Sequence, residues 1–407
     1  MSIIYDSIFL PMVTYTCGTW EWAARKVHTK RKLISSQRRA LLLITKCYRT
    51  VSNRCLQALA RKPPIDLEIF QREKYQQIKW GSNITVSNNT IQPEDIEWTI
   101  PYSETLFPIG HTANTEENTN NNYIDIYTDG SKINNSVGCS LVVYENSLET
   151  THLTFRLDDR CTVFQAELYA IWKAVETIDK SHNNISVTIN TDSLSAYKII
   201  KSTKLHPLAE NIRNQIRLSN CKFQLTWVKA HQGVVGNERA DSLAKSATTL
   251  DKKHIVYKKI SRRSLRSLLW EETLQLWQTT WDLDKDHITY KFIPDIQQHL
   301  RNKWYSPNFY ANQIFTNHGK FANYLARFVN YTSDVCNACD VRDGPDHYLF
   351  NCIAFERERL EFKILLETYK ISWPFNHHDI WINKDIYHNF IQFAKRIYTV
   401  NKSSLHS

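Results

Sequence analysis

Residues 123–250 of this 407-residue chain are predicted to form an α/β domain, a five-stranded mixed sheet with flanking helices. Three observations predict it. Strand-like runs at Tyr123–Thr128, Val137–Tyr144 and His152–Leu157 follow one another directly. Two more, Ile185–Thr191 and Phe223–Val228, are separated by segments of helical periodicity: Thr162–Thr177, Ser195–Lys201, Leu208–Ser219 and Asn237–Ala247. Strands in succession, then strands alternating with helices, imply a mixed sheet with helices packed on it. The helix Thr162–Thr177 also carries an apolar stripe through Val163, Ala170, Ile171, Ala174, Val175 and Ile178, as a helix lying on a sheet requires.

The flanks differ. Residues 1–75 are expected to be helical and basic, with Leu33, Leu41, Leu42 and Ile44 set among Arg and Lys until Pro63-Pro64 breaks the pattern. Residues 76–122 are expected to be a linker, rich in Asn and Thr and ending in Asn118-Thr119-Asn120-Asn121-Asn122. Residues 255–407 are expected to be mostly helical and are rich in Trp and other aromatics.

Composition bounds the function. The net charge of +10 favours a polyanionic partner, because Lys and Arg displace the counterions condensed on phosphates, although many basic proteins bind no nucleic acid. Asp6 and Pro11 interrupt the mildly apolar stretch Ile3–Tyr15, and no uncharged apolar run approaches the length of a membrane span. The nine cysteines are therefore expected to be reduced thiols, in an intracellular protein, nuclear or cytoplasmic and not secreted. The sequons at Asn83, Asn88, Asn134 and Asn184 read as chance matches.

Four carboxylates stand in places a purely structural domain would not choose. Ile124 and Ile126 lead to Asp129 at a strand's end, and Gly130-Ser131 is expected to turn the chain there. Ile185–Thr191 leads in the same way to Asp192, and in open α/β sheets sites form at the carboxyl ends of strands. Glu167 falls on the apolar stripe of its helix, where a carboxylate is costly unless it meets a cation. Asp241 sits in the first turns of the last helix, beside Ala240 and Leu243. A lone Asp ending a strand is ordinarily a turn residue. Four converging carboxylates repel one another, and a divalent ion such as Mg²⁺ removes the conflict.

Tyr127-Thr128-Asp129-Gly130-Ser131, Gln165-Ala166-Glu167-Leu168, Asn190-Thr191-Asp192-Ser193, Trp227-Val228-Lys229-Ala230-His231 and Gly236-Asn237-Glu238-Arg239-Ala240-Asp241 resemble type 1 ribonuclease H, in the family's order, over about 125 residues. The resemblance implies a ribonuclease H-like fold and hydrolysis of the RNA strand of RNA–DNA hybrids. It implies that Asp129, Glu167, Asp192 and Asp241 hold two Mg²⁺, with Mn²⁺ as the alternative. It makes His231 a loop histidine that moves protons or aids product release. Arg160 and Thr162 match phosphate-contact positions, and Gly130 and Ser131 are counted with them as candidate substrate contacts.

Cys336, Cys339, His347 and Cys352 have the donor types and spacing of a tetrahedral Zn²⁺ site. They resemble the Cys-Cys-His-Cys knuckle that follows the ribonuclease H domain in some non-LTR retrotransposon polyproteins. Phe315-Thr316-Asn317-His318-Gly319-Lys320-Phe321 with Tyr324-Leu325 is similar to the motif upstream of it, with Asn317 in place of a glycine and His318 read as structural. Tyr5-Asp6-Ser7-Ile8-Phe9-Leu10-Pro11, Gln37-Arg38-Arg39 and Cys47-Tyr48-Arg49-Thr50 resemble the helical thumb of the reverse transcriptases of such elements. The paired aspartates of a polymerase palm are not found, so no DNA synthesis is expected. The implied partners are an RNA–DNA hybrid, single-stranded or element RNA held by the basic and zinc regions, and a separate reverse transcriptase. Three readings stay open at this point: an active hybrid nuclease, a catalytically silent nucleic-acid-binding remnant, and an accessory chain of a polymerase.

Overall fold

Tyr123–Ile133 (β1), Ser136–Glu145 (β2) and Leu148–Leu157 (β3) form two consecutive hairpins in the computed structural model, which describes residues 1–99, 123–329 and 333–404. Each hairpin closes through two residues with left-handed backbone, Asn134 and Asn135 at φ 48° and 67°, then Asn146 and Ser147 at 50° and 65°. Two successive positive φ angles suit the right-handed twist of the paired strands, and Asn tolerates them best after Gly. The turn therefore comes later than Gly130-Ser131. Those residues lie inside β1, paired with Cys139 and Gly138 of β2.

Ser186–Thr191 (β4) and Lys222–Trp227 (β5) join in parallel beyond β1, giving the order β5-β4-β1-β2-β3. A sixth strand, Ile255–Tyr257 (β6), pairs in parallel with β3 at the other edge. Three residues carry too little alternation to announce a strand, so the sheet exceeds the five strands expected by one.

Val163–Ser181 (α1) is started by a capping box: Thr162 Oγ1 accepts from Gln165 N–H at 3.2 Å, and Gln165 Oε1 accepts from Thr162 N–H at 3.0 Å. Leu168, Ile171, Ala174, Val175 and Ile178 then pack on Ile124, Ile126, Leu141, Val143, Val187 and Ile189. Val163 does not belong to that stripe. As the first residue of the helix it lies beyond the covered surface and is 40% exposed.

Leu194–Ile200 (α2) and Pro207–Leu218 (α3) complete the core on the α1 side. Val235–Ala247 (α4) covers the opposite face, where Ser140 Oγ donates to the Ala240 carbonyl at 2.6 Å and Gly236 packs on the Tyr127 ring. Of the segment expected to be a linker, residues 84–86, 89–91 and 96–97 are short strands, the last pairing with Ile260–Ser261. Its Asn-rich end lies outside the described residues.

The chain divides into two compact units, Met1–Trp80 with Val86–Asn88 and Leu269–Ser407, and Gly81–Thr85 with Asn89–Leu268. The second holds the sheet. In the first, the helices Val27–Thr45, Asn53–Ala60 and Ile65–Lys79 share one core with Phe309–Thr316, Glu356–Thr368 and Lys384–Ser404. Gln37, fully buried, is a polar hub in it. Its Nε2 donates to Tyr5 Oη at 2.8 Å and to the Pro63 carbonyl at 2.7 Å, while Oε1 accepts from Gln57 Nε2 and Ile65 N–H. Every bond the buried amide can make is made, so its burial carries little penalty. Among the described residues no helix is long and apolar enough to cross a membrane.

Gly130 is the tightest point between β1 and α1. A Cβ there would lie 2.6 Å from the Glu167 backbone nitrogen and 3.0 Å from Ala166. Gly130→Ala is expected to cost about 1–3 kcal/mol, the usual cost of overpacking, seen as a lower urea midpoint. An unchanged midpoint would contradict the close packing.

Candidate active site

Strand register brings the first two carboxylates together. Thr128 pairs with Thr191 in the last rung of the β1–β4 ladder, so Asp129 and Asp192 follow side by side. The approach of α1 at Gly130 delivers the third, Glu167. One carboxylate oxygen each from Asp129, Glu167 and Asp192 lies within 4.8 Å of the others.

Asp129 and Glu167 are each only 6% exposed, and Glu167 Oε2 is buried without a hydrogen-bond partner. Burial, then the charges of Asp192 and Asp241, push the Asp129 carboxyl up to about 7. Burial, then Asp129 and Asp192, hold Glu167 well above the usual carboxylate range. The nearby Gly130 N–H dipole acts the other way on both and only partly relieves them. Crowded carboxylates, one with an unpartnered buried oxygen, are the donor set a hard divalent cation satisfies. The residues present therefore fit Mg²⁺ or Mn²⁺.

Asp192 is half-buried and firmly placed. Its carbonyl accepts from Trp227 Nε1 at 3.0 Å, and its Oδ2 accepts from Asn237 Nδ2 at 3.2 Å. In the sequence alone Trp227 and Asn237 stand only as members of family-like motifs, with no role of their own. The available signal was an amide in the first turn of a helix that also carries an acidic candidate.

The fourth carboxylate is not in this group. Asp241, on α4, forms a 2.6 Å ion pair with Lys245 one turn on, although it still acts on Asp129 through space. His231 is exposed on the loop between β5 and α4, in left-handed backbone at φ 56°. Arg160 grips Asp158 through two guanidinium bonds of 2.8 and 2.9 Å. Thr162 is engaged as the α1 cap, Gly130 is buried under α1, and Ser131 is half-buried in β1.

A second cluster lies in the helical unit. The ligand atoms of Cys336, Cys339, His347 and Cys352 also lie within 4.8 Å of one another. Cys352 Sγ is 3.7 Å from both Cys336 Sγ and Cys339 Sγ. Tetrahedral Zn²⁺ with Zn–S near 2.3 Å sets sulfur atoms about 3.8 Å apart, so the thiols already have the spacing the ion needs. His347 Nε2 is buried and unpartnered, and Ile353 N–H donates to Cys339 Sγ at 3.4 Å, as such amides do to thiolates.

The turn is shaped by an isolated bridge between Val335 and Arg342 and by Asp340 at φ 52°. Just upstream, Asn317 is the left-handed C-cap of Phe309–Thr316 at φ 54°, a position for which Asn substitutes for Gly. His318 packs on Tyr324 and its Nδ1 lies 2.7 Å from Thr50 Oγ1. Burial lowers its imidazole to about 4.

A mixed sheet with two consecutive hairpins, a helix on each face and three carboxylates where β1, β4 and α1 meet defines a fold of the ribonuclease H class. Residues 121–249 match the RNase H family, and this segment of the chain is a ribonuclease H domain. The chain is also similar to Retrovirus-related Pol polyproteins from type-1 retrotransposable element R1. That of Popillia japonica is 25% identical over 209 residues, 50% of this chain and 81% of the relative. That of Bradysia coprophila is 26% identical over 98 residues, 24% of this chain and 10% of the relative. That of Nasonia vitripennis is 24% identical over 143 residues, 34% of each. The chain thus spans about a tenth and a third of the last two.

Among solved structures, RNase H1 of Halobacterium salinarum is 21% identical, covering 31% of this chain and 96% of that one, with a TM-score of 0.27. An N-terminal RNase H domain from Mycobacterium tuberculosis is 18% identical, covering 31% and 94%, with a TM-score of 0.27.

The raised Asp129 value has a stability consequence. The folded chain without a divalent ion holds this proton more tightly than the unfolded chain does. The resulting stabilisation is present below the ordinary value of 3.8 and is lost as pH rises to about 7. Thermal melts of Mg²⁺-free chain are expected to lose stability over that window, and added Mg²⁺ is expected to raise Tm far more at pH 8 than at pH 5. Equal shifts at the two pH values would contradict it.

Proposed function

We propose that the chain is a type 1 ribonuclease H that cuts the RNA strand of RNA–DNA hybrids endonucleolytically, as part of a retrotransposon-derived polyprotein. The observation that carries this reading is the Asp129, Glu167 and Asp192 trio, with its unpartnered buried Glu167 oxygen, inside the segment that matches RNase H. Two divalent ions held there would supply the charge that activates water and stabilises the leaving oxygen in an in-line phosphodiester displacement.

The remaining roles fall to the chain's own residues. Asn237 and Trp227 orient Asp192. Asp241 completes the acidic set when it leaves Lys245. His231, on an exposed loop, moves a proton. Arg160, Thr162, Gly130 and Ser131 are the proposed substrate contacts, Arg160 after releasing Asp158. The compartment on this reading is intracellular, and a separate reverse transcriptase is the proposed protein partner.

A catalytically silent binding remnant is the second reading, favoured by one observation: the Lys245 ammonium sits on Asp241 where the first reading wants a metal. A labelled RNA–DNA hybrid incubated with the chain and Mg²⁺ separates the two. Metal-dependent RNA cleavage that falls at least a hundredfold in Asp129→Asn, roughly the scale of a lost electrostatic catalytic group, is expected. A folded chain inactive with both Mg²⁺ and Mn²⁺ would leave the second reading.

We also propose that Cys336, Cys339, His347 and Cys352 hold one structural Zn²⁺. Metal analysis is expected to find one zinc per chain, lost in Cys352→Ala together with several degrees of Tm, because such ions contribute folding energy directly. A zinc-free chain of unchanged stability would refute it.

A further inference from the structure

Carboxylates are strongly segregated in the helical unit. Residues 22–65 hold twelve Lys and Arg and no Asp or Glu. Residues 296–333 hold four and none, and residues 386–407 hold three and none. The whole chain has 41 acidic residues, about one in ten, whereas each of these three segments carries only positive charge. Packing joins the three: Asn312 Nδ2 donates to the Thr45 carbonyl at 2.7 Å, and Asn401 Nδ2 to the Lys320 carbonyl at 2.8 Å.

Where they meet, aromatic rings form a continuous run. Tyr310 and Tyr398 are 5.3 Å apart, Tyr398 and Phe309 5.4 Å, and Phe309 and Tyr48 6.4 Å in stacked orientation. Tyr48 and Tyr324 follow at 5.6 Å, then Tyr324 and Phe328 at 5.0 Å. The neighbouring rings Phe292, Phe315, Phe390 and Tyr387 are core, at most 2% exposed. In this run only Tyr324 is buried. Tyr48, Phe309, Tyr310 and Tyr398 are partly buried, each with part of its ring at the surface, and Phe328 is 43% exposed.

Cations frame the run. The exposed residues Lys46 and Arg49 flank Tyr48 in sequence, and the Arg327 guanidinium lies 5.0 Å from the centre of the Phe328 ring. Some basic residues of these segments are neutralised, as Arg396 is by Glu358 at 2.9 Å and Arg54 by Asp284 at 2.8 Å.

We propose that this surface is a stacking platform for single-stranded nucleic acid, lying outside the ribonuclease H segment and independent of its chemistry. Unpaired bases offer aromatic faces, which a duplex hides in its own stack, and the phosphates between them match a carboxylate-free basic frame. A duplex would use the cations without the rings. A protein partner would not require the exclusion of acidic residues from three separate segments.

The test titrates the full chain, in Mg²⁺-free buffer, into labelled oligo(U) or oligo(dT) of about 20 nucleotides, long enough to cover one such site. Duplex DNA of equal length is the comparison. Both single strands are expected to bind, at least about tenfold more tightly than the duplex. The paired change Phe328→Ala and Tyr398→Ala is expected to weaken single-strand binding by about tenfold with its salt dependence kept. Lys46→Gln with Arg49→Gln is expected to flatten that salt dependence. Equal affinity for duplex and single strand, undiminished binding by the aromatic variant, or no oligonucleotide binding at all would overturn the proposal, the last leaving the surface to a protein. Photocrosslinking of 4-thiouridine RNA to the unmutated chain removes any dependence on how the variants fold. Adducts are expected on Tyr48, Tyr398 or residues 309–328, and adducts confined to other segments would overturn the proposal.

Discussion

The distance between one helix and one strand governs the sheet domain. At Gly130 the α1 backbone comes so near to β1 that no side chain fits between them. That closeness, with parallel register aligning Asp129 and Asp192, brings oxygen atoms of three carboxylates within 4.8 Å of one another. Two of them are almost sealed from solvent, so the fold keeps an electrostatic conflict that it does not resolve internally. Most proteins pair such groups with Lys or Arg. Here the nearby cation Lys245 is spent on the outlying Asp241.

Much of this was legible in the chain because alternation and helical period are strong signals over ten residues. All five expected strands and all four expected helices of the sheet domain are present, with ends shifted by at most five residues. What escaped was short, or depended on distant partners. Ile255–Tyr257 has no pattern to read. Gly130-Ser131 looked like a turn because glycine after an aspartate usually is one, whereas this glycine serves close packing and Asn134-Asn135 makes the turn. The trio was legible because each member departs from its local pattern: two strand-end acids and one acid on an apolar stripe. The Lys245 partner of Asp241 has helical i,i+4 spacing, yet nothing in sequence says which of several neighbours a carboxylate chooses.

The helical unit was harder to read. Its basic amphipathic helices and Cys-Cys-His-Cys spacing are visible locally, but the polar hub at Gln37 is not, since a Gln between Ser36 and Arg38 looks solvated. Only tertiary structure shows that Tyr5, Gln57 and the Pro63 carbonyl close around it. The same holds for the candidate zinc site. Its four donors are close in sequence, whereas the packing of Leu349 and Phe355 that seats them reaches helices from both ends of the described chain.

That discontinuity has a consequence for synthesis. Residues 1–80 belong to a core they share with residues 269 onward, and the whole sheet domain is encoded between them. On the ribosome these helices therefore emerge before the rest of their core and wait for it through roughly 190 further residues, about 10–40 s at ordinary elongation rates. The sheet domain, complete in itself, can close during that interval. Nascent chains can thus pass through a state in which the sheet domain is closed while the helices of residues 1–80 still lack the partners encoded from residue 269 onward.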